Sequence, residues 1–130
     1  AAMADNPWFM IPRNAAARHL GEPEPWPPRA PGPTAFAETD YVTGILKSAG
    51  FGDVRVDTEA CDLIGGDSAA NTAAFAVNVG PAARILKLHS PSPETIAAIT
   101  ADVEAEMVPY LRTEGVRVPA KLNFVSAERP

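Results

Sequence analysis

Apolar residues recur along the chain with two different periods, and each period predicts a different element. Residues 53–57 alternate strictly between polar and apolar, which is typical of a strand with one wet face. A helix from about Asp40 to Ala49 is predicted just before it, with Thr39 as N-cap and Gly50 as the stop. Its buried stripe has the spacing of one helix face and consists of Val42, Ile45, Leu46 and Ala49.

Three more helical segments follow the Gly65-Gly66 loop. Asp67 or Ser68 caps the first, and Pro81 lies at the start of the second. Ser92, followed by a proline, begins a longer third helix, because a proline is well tolerated at the first helical position. We expect Pro109 to kink or end that helix.

The last regular segment, Leu122–Ala127, is apolar on both of its alternating faces and predicts a strand that is buried front and back. The pattern therefore contains two convincing strands, this one and residues 53–57. Two strands alone do not make a stable sheet in water. We expect the chain to be the C-terminal end of a larger α/β domain whose other strands lie upstream.

The N-terminal region, residues 1–36, is divided by prolines and predicts one short helix over Pro12–Leu20. Glu22–Pro33, called the strap below, excludes helix and inner strand and favours an extended, polyproline-like path. We interpret the strap as a surface connection pinned by Trp26; the alternative is a ligand for a polyproline-binding module. Residues 37–130 form the predicted α/β region, with a helical insertion over about 67–112.

The composition narrows the classes of partner. A net charge of -5 over 130 residues argues against nucleic acid, which needs a basic surface. No apolar run approaches the length of a membrane span, so we expect no membrane partner. Cys61 is the single cysteine, which excludes an intrachain disulfide and fits a reduced, cytoplasmic setting.

The sequence contains no recognisable motif of a self-contained active site or metal site. His19 and His89 each lie far from any cysteine or second histidine, and we interpret both as partly exposed residues near helix ends. Asp102 and Glu106 are a like-charged pair one helical turn apart, which we expect to stay in water. A carboxylate-rich loop is expected to be solvated, with a cation site as the alternative, and comprises Asp57, Glu59, Asp62 and Asp67.

Aromatic side chains are the better candidates for contacts with a small molecule. Trp8 and Phe9 follow Asn6-Pro7, so we expect a turn to present two large rings. Phe75 is the one ring on an alanine-rich helix, where small neighbours leave space beside it. The alternative for Phe75 is a core position between closely packed helices. Trp8, Phe9 and Phe75 are the predicted substrate-binding residues.

Several segments, taken in order, resemble the C-terminal part of a class I S-adenosylmethionine-dependent methyltransferase of the ubiquinone/menaquinone-biosynthesis-like type. The resemblance spans nearly all of the chain, although each segment by itself is weakly specific. The matching segments are Asn6–Phe9, Gly32–Ala37, Asp40–Val42, Ile45–Phe51, Asp53–Val56, Ala74–Ala76, Val79–Arg84, Val108–Leu111, Gly115–Ala120 and Phe124–Ala127.

The resemblance implies a fold, and it places cofactor binding and acceptor binding in different parts of the parent protein. The family has a doubly wound, Rossmann-like sheet of seven strands in which the last strand is antiparallel and inserted beside its neighbour. On that template residues 53–57 are the sixth strand, Leu122–Ala127 is the seventh, and the helices between them border the acceptor pocket. The family's glycine-rich loop and ribose-binding acidic residue have no counterpart here, so the resemblance assigns no cofactor-binding residue to this chain.

The resemblance also implies the partners. S-adenosylmethionine would bind to the full-length parent and not to this piece, which we expect to be inactive alone, and the substrate would be a small organic methyl acceptor. An open sheet edge would be covered by the missing N-terminal half of the parent or by a second copy of the chain. The alternative function is a stand-alone, non-catalytic module for small-ligand binding or dimerisation.

Overall fold

The structure, a computed structural model, describes residues 1–129. It is an α/β fold with five helices and a three-stranded antiparallel sheet, which confirms the α/β class. The helices are α1 (Pro7–Leu20), α2 (Thr39–Ser48), α3 (Ala69–Ala76), α4 (Gly80–His89) and α5 (Pro93–Met107). The strands are β1 (Gly52–Ile64), β2 (Leu111–Arg112) and β3 (Gly115–Glu128), in the order β1-β3-β2. None of the described helices is both long and apolar enough to cross a membrane.

The sheet is mainly a long antiparallel pair, in which Gly52 lies opposite Glu128 and Ile64 opposite Arg117. Both predicted strands exist, but each is longer than its alternating pattern indicated. β1 continues through the segment that we expected to be a carboxylate-rich loop, so that expectation is wrong. Pairing with β3 overrides the low strand propensity of its acidic residues, because both strands satisfy their backbone groups in the ladder.

One face of the sheet carries the hydrophobic core. Val116, Val118 and Ala120, alternate residues in the first half of β3, are buried against the helices. α1 packs against α4 and α5, and α3 packs against α5, with fully buried alanines at the contacts such as Ala15 and Ala73. Small side chains let these helices approach closely. The core contains residues of both predicted regions of the chain, residues 1–36 and residues 37–130.

The second half of β3 is exposed, and the prediction that Leu122–Ala127 is buried on both faces is wrong for this chain. Leu122, Phe124 and Val125 are 37%, 51% and 43% exposed. The physical reason is that the core helices cover only the first half of β3. On the opposite face, α2 lies over Val125 and leaves a wholly apolar cavity between Val42 and Val125. The apolar side chains of this segment are therefore only partly buried by the rest of residues 1–129.

Helix boundaries follow the capping residues in part. Ser68 Oγ accepts a hydrogen bond from Asn71 N at 3.1 Å, and Ser92 Oγ accepts one from Thr95 N at 3.3 Å, which confirms both predicted caps. The predicted Thr39 cap is wrong, because Thr39 is the first residue of α2 and follows Glu38. A short 3-10 turn containing Pro109 ends α5, as expected.

Two expectations about α1 and α2 need correction. α1 begins at Pro7 and not at Pro12, so Pro12 lies inside the helix. Pro12 removes one helical hydrogen bond, but its ring is fully buried, and tertiary packing offsets the loss. In α2 only Val42 of the predicted stripe is buried, whereas Ile45 is 40% exposed.

Candidate functional site

The predicted aromatic residues lie on two neighbouring helices. Trp8 and Phe9 are in the first turn of α1 instead of a loop, since Pro7 opens that helix. Trp8 contacts Phe75 of α3, with ring centroids 6.2 Å apart and a tilt of 44°. Phe9 packs elsewhere, against Gly80 at the start of α4. The structure therefore brings Trp8 and Phe75 together, and a role for the three rings in acceptor binding stays a prediction.

A different place has the shape of a binding site. Three adjoining cavities share Met3 and Trp26 in their walls. The first, of about 80 Å³ and partly open to solvent, lies between the strap and helices α1 and α4; we call it the strap cleft. Its walls are formed by Met3, Arg13, Pro23, Glu24, Pro25, Trp26, Pro81, Arg84 and Ile85. Sequence reasoning missed this cleft, because the wall segments within residues 3–26 meet residues 81–85 only through tertiary packing.

Arginine side chains hold the strap in place at three points. Arg13 of α1 forms a salt bridge with Glu22, and the guanidinium of Arg84 stacks 4.2 Å from the centre of the Trp26 ring. Arg29 donates to Glu38 at 2.8 Å and also lies 4.2 Å from the centre of the Tyr41 ring. The strap is thus a surface connection fixed to α1, α2 and α4.

The hydrogen bond between Arg29 and Glu38 also shifts their titration. The bonded guanidinium holds the pKa of Glu38 below its usual range, and the carboxylate raises the pKa of Arg29. Both groups are therefore charged near neutral pH. Arg29 itself adopts a left-handed backbone conformation with φ of 62°. The contacts with Glu38 and Tyr41 offset the cost of that conformation.

A second polar cluster joins α1 to α5. His19 Nε2 lies 2.9 Å from a carboxylate oxygen of Asp102, and Arg18 donates to Glu106 at 2.6 Å. His19 is partly exposed near the end of α1, as expected, and Asp102 and Glu106 remain exposed to water. The two carboxylates are nevertheless paired with α1, which the like-charged spacing did not predict. The end of α1 crosses α5 at these acidic residues, a tertiary contact that the local spacing does not report.

This cluster predicts a dependence of stability on pH. The hydrogen bond from His19 is the main cause that lowers the pKa of Asp102 below its ordinary value of 3.8. A lowered folded-state pKa means that the Asp102 carboxylate stabilises the fold above its unfolded pKa, and that this is lost as pH falls through the lower folded value. We expect Asp102→Asn to lower the denaturation midpoint at neutral pH, with the difference from wild type vanishing in strong acid.

The matched control is Glu104→Gln on the same helix, because Glu104 makes no ion pair within the described residues. Denaturant titrations at several pH values measure all three proteins. Equal effects of Asp102→Asn and Glu104→Gln at neutral pH would show that the contact with α1 contributes nothing.

Within residues 1–129, no three His, Cys, Asp or Glu side chains lie close enough together to hold a metal ion. The acidic residues of β1 are spread along the strand, since Asp57 lies opposite Phe124, Glu59 opposite Leu122 and Asp62 opposite Pro119. Asp67 instead accepts a hydrogen bond from the Asn71 side chain at 2.7 Å.

Residues 1–129 thus form an α/β fold with a three-stranded antiparallel sheet, and its core helices pack on one face of that sheet. Comparison with protein-family models, with curated proteins and with solved structures finds no match to this chain.

Proposed function

We propose that this chain forms the C-terminal region of an S-adenosylmethionine-dependent methyltransferase that acts on a small organic acceptor. The remaining strands of the doubly wound sheet would come from a longer parent protein. The observation that carries this proposal is the open edge of β3. β3 is antiparallel to β1, as the resemblance implies for the last strand beside its neighbour.

The direction of the backbone groups supports an additional strand at that edge. Lys121 N donates to Asn6 Oδ1 at 3.0 Å, on the side of β3 away from β1. Because amides alternate along a strand, those of Asn123, Val125 and Ala127 point to the same open side. Within residues 1–129, only β2 pairs with β3 there, at Gly115 and Val116.

The exposed apolar residues beside this edge support the same proposal. Leu122 and Phe124 lie on the face that the core helices cover further along the strand, and the described residues leave them 37% and 51% exposed. A neighbouring strand with its own helix would bury both. Their pattern is that of an interior strand, and an interior strand needs neighbours on both sides.

The proposed chemistry divides between the two halves of the parent. Bound S-adenosylmethionine supplies the methyl group on a sulfonium, and the parent's upstream residues would hold it. This chain has no glycine-rich loop for that role. The space beside Gly65 is occupied by the Thr72 side chain, and the amide of Gly66 already donates to Thr72 Oγ1. Its own residues would shape the acceptor side, where positioning of the acceptor supplies much of the rate.

The first test of this proposal is a pair of titrations with S-adenosylhomocysteine. We expect the longer protein to bind it and this chain alone to give no heat of binding. Binding to the isolated chain, or failure of the longer protein to bind, contradicts the proposal. An upstream sequence without a glycine-rich strand-loop-helix within about 150 residues, a typical domain length, also contradicts it.

The second test asks whether the exposed half of β3 is buried in the parent. Phe124→Ser should lower the free energy of unfolding of this chain by about 1–2 kcal/mol, because about half of the side chain is already covered. In the longer protein it should cost about 1–2 kcal/mol more, because the exposed half of the ring would be buried there. Phe75→Ser is the control, since Phe75 is 60% exposed on a helix and should cost the same in both proteins.

A second candidate function is a dimerisation module, in which a second copy covers the same edge. The open amides are centred on Val125, which suits antiparallel pairing of two β3 strands across a two-fold axis. The outer strand β1 is less suited, because its acidic side chains would face one another. Light scattering that shows a strict monomer at high concentration contradicts this candidate.

A further inference from the structure

The walls of the strap cleft combine an aromatic surface with a cation. Trp26, Met3, Pro81 and Ile85 supply apolar surface, and Arg84 of α4 supplies the positive charge. The cleft holds about 80 Å³ and is partly open to solvent, below the roughly 300–1,000 Å³ of a pocket for a drug-sized molecule, so only a small ligand that stays partly in water fits it. Trp26 keeps 38% of its surface exposed although Arg84 covers part of its ring, so the ring remains accessible from the cleft.

The cleft contains a positive charge, on Arg84, that forms no salt bridge within residues 1–129. Arg13 is paired with Glu22, but no carboxylate of residues 1–129 lies within salt-bridge distance of Arg84. A guanidinium that stacks on a ring still has N–H groups free at its rim, and their planar arrangement matches a carboxylate. Arg84 is thus held in place by Trp26, while its N–H groups make no hydrogen bond within residues 1–129.

Glu24 limits what the cleft can accept. It lines the same space and has no salt-bridge partner among the described residues. The carboxylate of Glu24 repels negative charge, so the cleft disfavours a dianion and a single ligand carboxylate would lie on the Arg84 side. The apolar remainder of the wall favours a ring over a sugar or a polar chain.

We propose that the strap cleft is a binding site for a small aromatic monocarboxylate. The carboxylate accepts hydrogen bonds from Arg84, and the ring lies against Trp26, Met3 and Pro81. The strap forms one wall of the site, so Trp26 serves as a binding residue as well as a pin for the connection. This site does not depend on methyl transfer, and it is tested on the chain as it stands.

The first experiment compares benzoate with benzamide, a neutral molecule of the same shape, by calorimetric titration of the unmodified protein. We expect saturable binding of benzoate and at least about tenfold weaker binding of benzamide, which cannot make a charge-assisted pair with Arg84. Phthalate, a dianion, should also bind more weakly than benzoate. Absence of saturation by benzoate up to about 10 mM, or equal affinities for benzoate and benzamide, overturns the proposal.

The second experiment locates the site by fluorescence. The chain has two tryptophans, so Trp8→Phe leaves Trp26 as the only indole. We expect benzoate to change the emission of Trp26 in that variant with the same affinity that calorimetry gives for the unmodified chain. Saturable benzoate binding that leaves the Trp26 emission unchanged would place the ligand elsewhere and overturn the assignment.

The third experiment removes the cation. Arg84→Gln should weaken benzoate at least about tenfold and leave benzamide unchanged, because only the charged ligand uses the guanidinium. Arg55→Gln is the matched control, since Arg55 lies on β1 with an exposed side chain and lines no part of the cleft. Equal effects of the two substitutions overturn the proposal. Should Arg84→Gln fail to fold, the benzoate–benzamide comparison on the unmodified chain still decides.

Discussion

Gly115→Ala is expected to lower the free energy of unfolding by about 4 kcal/mol, the sum of backbone strain and a steric clash. Gly115 opens β3 with φ of +101°, a conformation that residues with a side chain rarely adopt. A Cβ there would lie 2.8 Å from the carbonyl oxygen of Gly66. That oxygen cannot move freely, because it accepts the hydrogen bond from Val116 N at 3.0 Å.

Gly21→Ala separates the two contributions to this loss. Gly21 has a similar φ of +95°, but a Cβ there meets no atom within 4 Å. Its substitution should therefore cost only the strain, about 2 kcal/mol. Guanidinium denaturation of the three proteins measures the difference. Equal losses in both variants would show that the contact between Gly115 and Gly66 is not tight, and that the loop does not hold β3 in place.

Ile99→Ala is expected to lower the free energy of unfolding by about 3 kcal/mol, because it removes a fully buried side chain and leaves a cavity. Ile99 lies on α5 in the core that α1, α3 and β3 share. Ile64→Ala is the matched control, since Ile64 at the end of β1 is 74% exposed. It should cost no more than about 0.5 kcal/mol.

The same variant tests whether the chain unfolds as one unit. In a Trp26→Phe background the emission of Trp8 reports on α1, and far-ultraviolet circular dichroism reports on all of the helices and strands. If residues 1–36 and 37–130 depend on one core, Ile99→Ala should move both transitions together by the same amount. A Trp8 transition that stays at its wild-type midpoint would show that α1 is stabilised independently of α5.

Local pattern predicted several elements well and their lengths poorly. Ser68 and Ser92 marked helix starts correctly, because an N-cap depends on groups within three residues of it. The alternation of residues 53–57 found only the start of β1, since the acidic remainder of that strand is held by pairing with β3. Strand pairing is a long-range interaction, so no local signal reports where it stops.

For the candidate site residues, too, the sequence indicated residue types, and only the tertiary structure showed which of them meet. The rings of Trp8, Phe9 and Phe75 could be singled out by residue type, but only the packing of α1 on α3 brings Trp8 to Phe75 and leaves Phe9 against Gly80. Arg84 and Trp26 carried no signal as a pair, because they are distant in sequence and meet only where the strap crosses α4.

The sequence by itself determined the α/β class, the starts of α3, α4 and α5, the irregular strap and the presence of a final apolar strand. Those features depend on side-chain periodicity, capping and proline geometry, which act over a few residues. The tertiary structure alone decided that β3 is covered only along its first half, that His19 meets Asp102, and that the strap closes a cleft beside Arg84. Each of these depends on which distant surfaces bury apolar area together, and that choice is made by the whole chain.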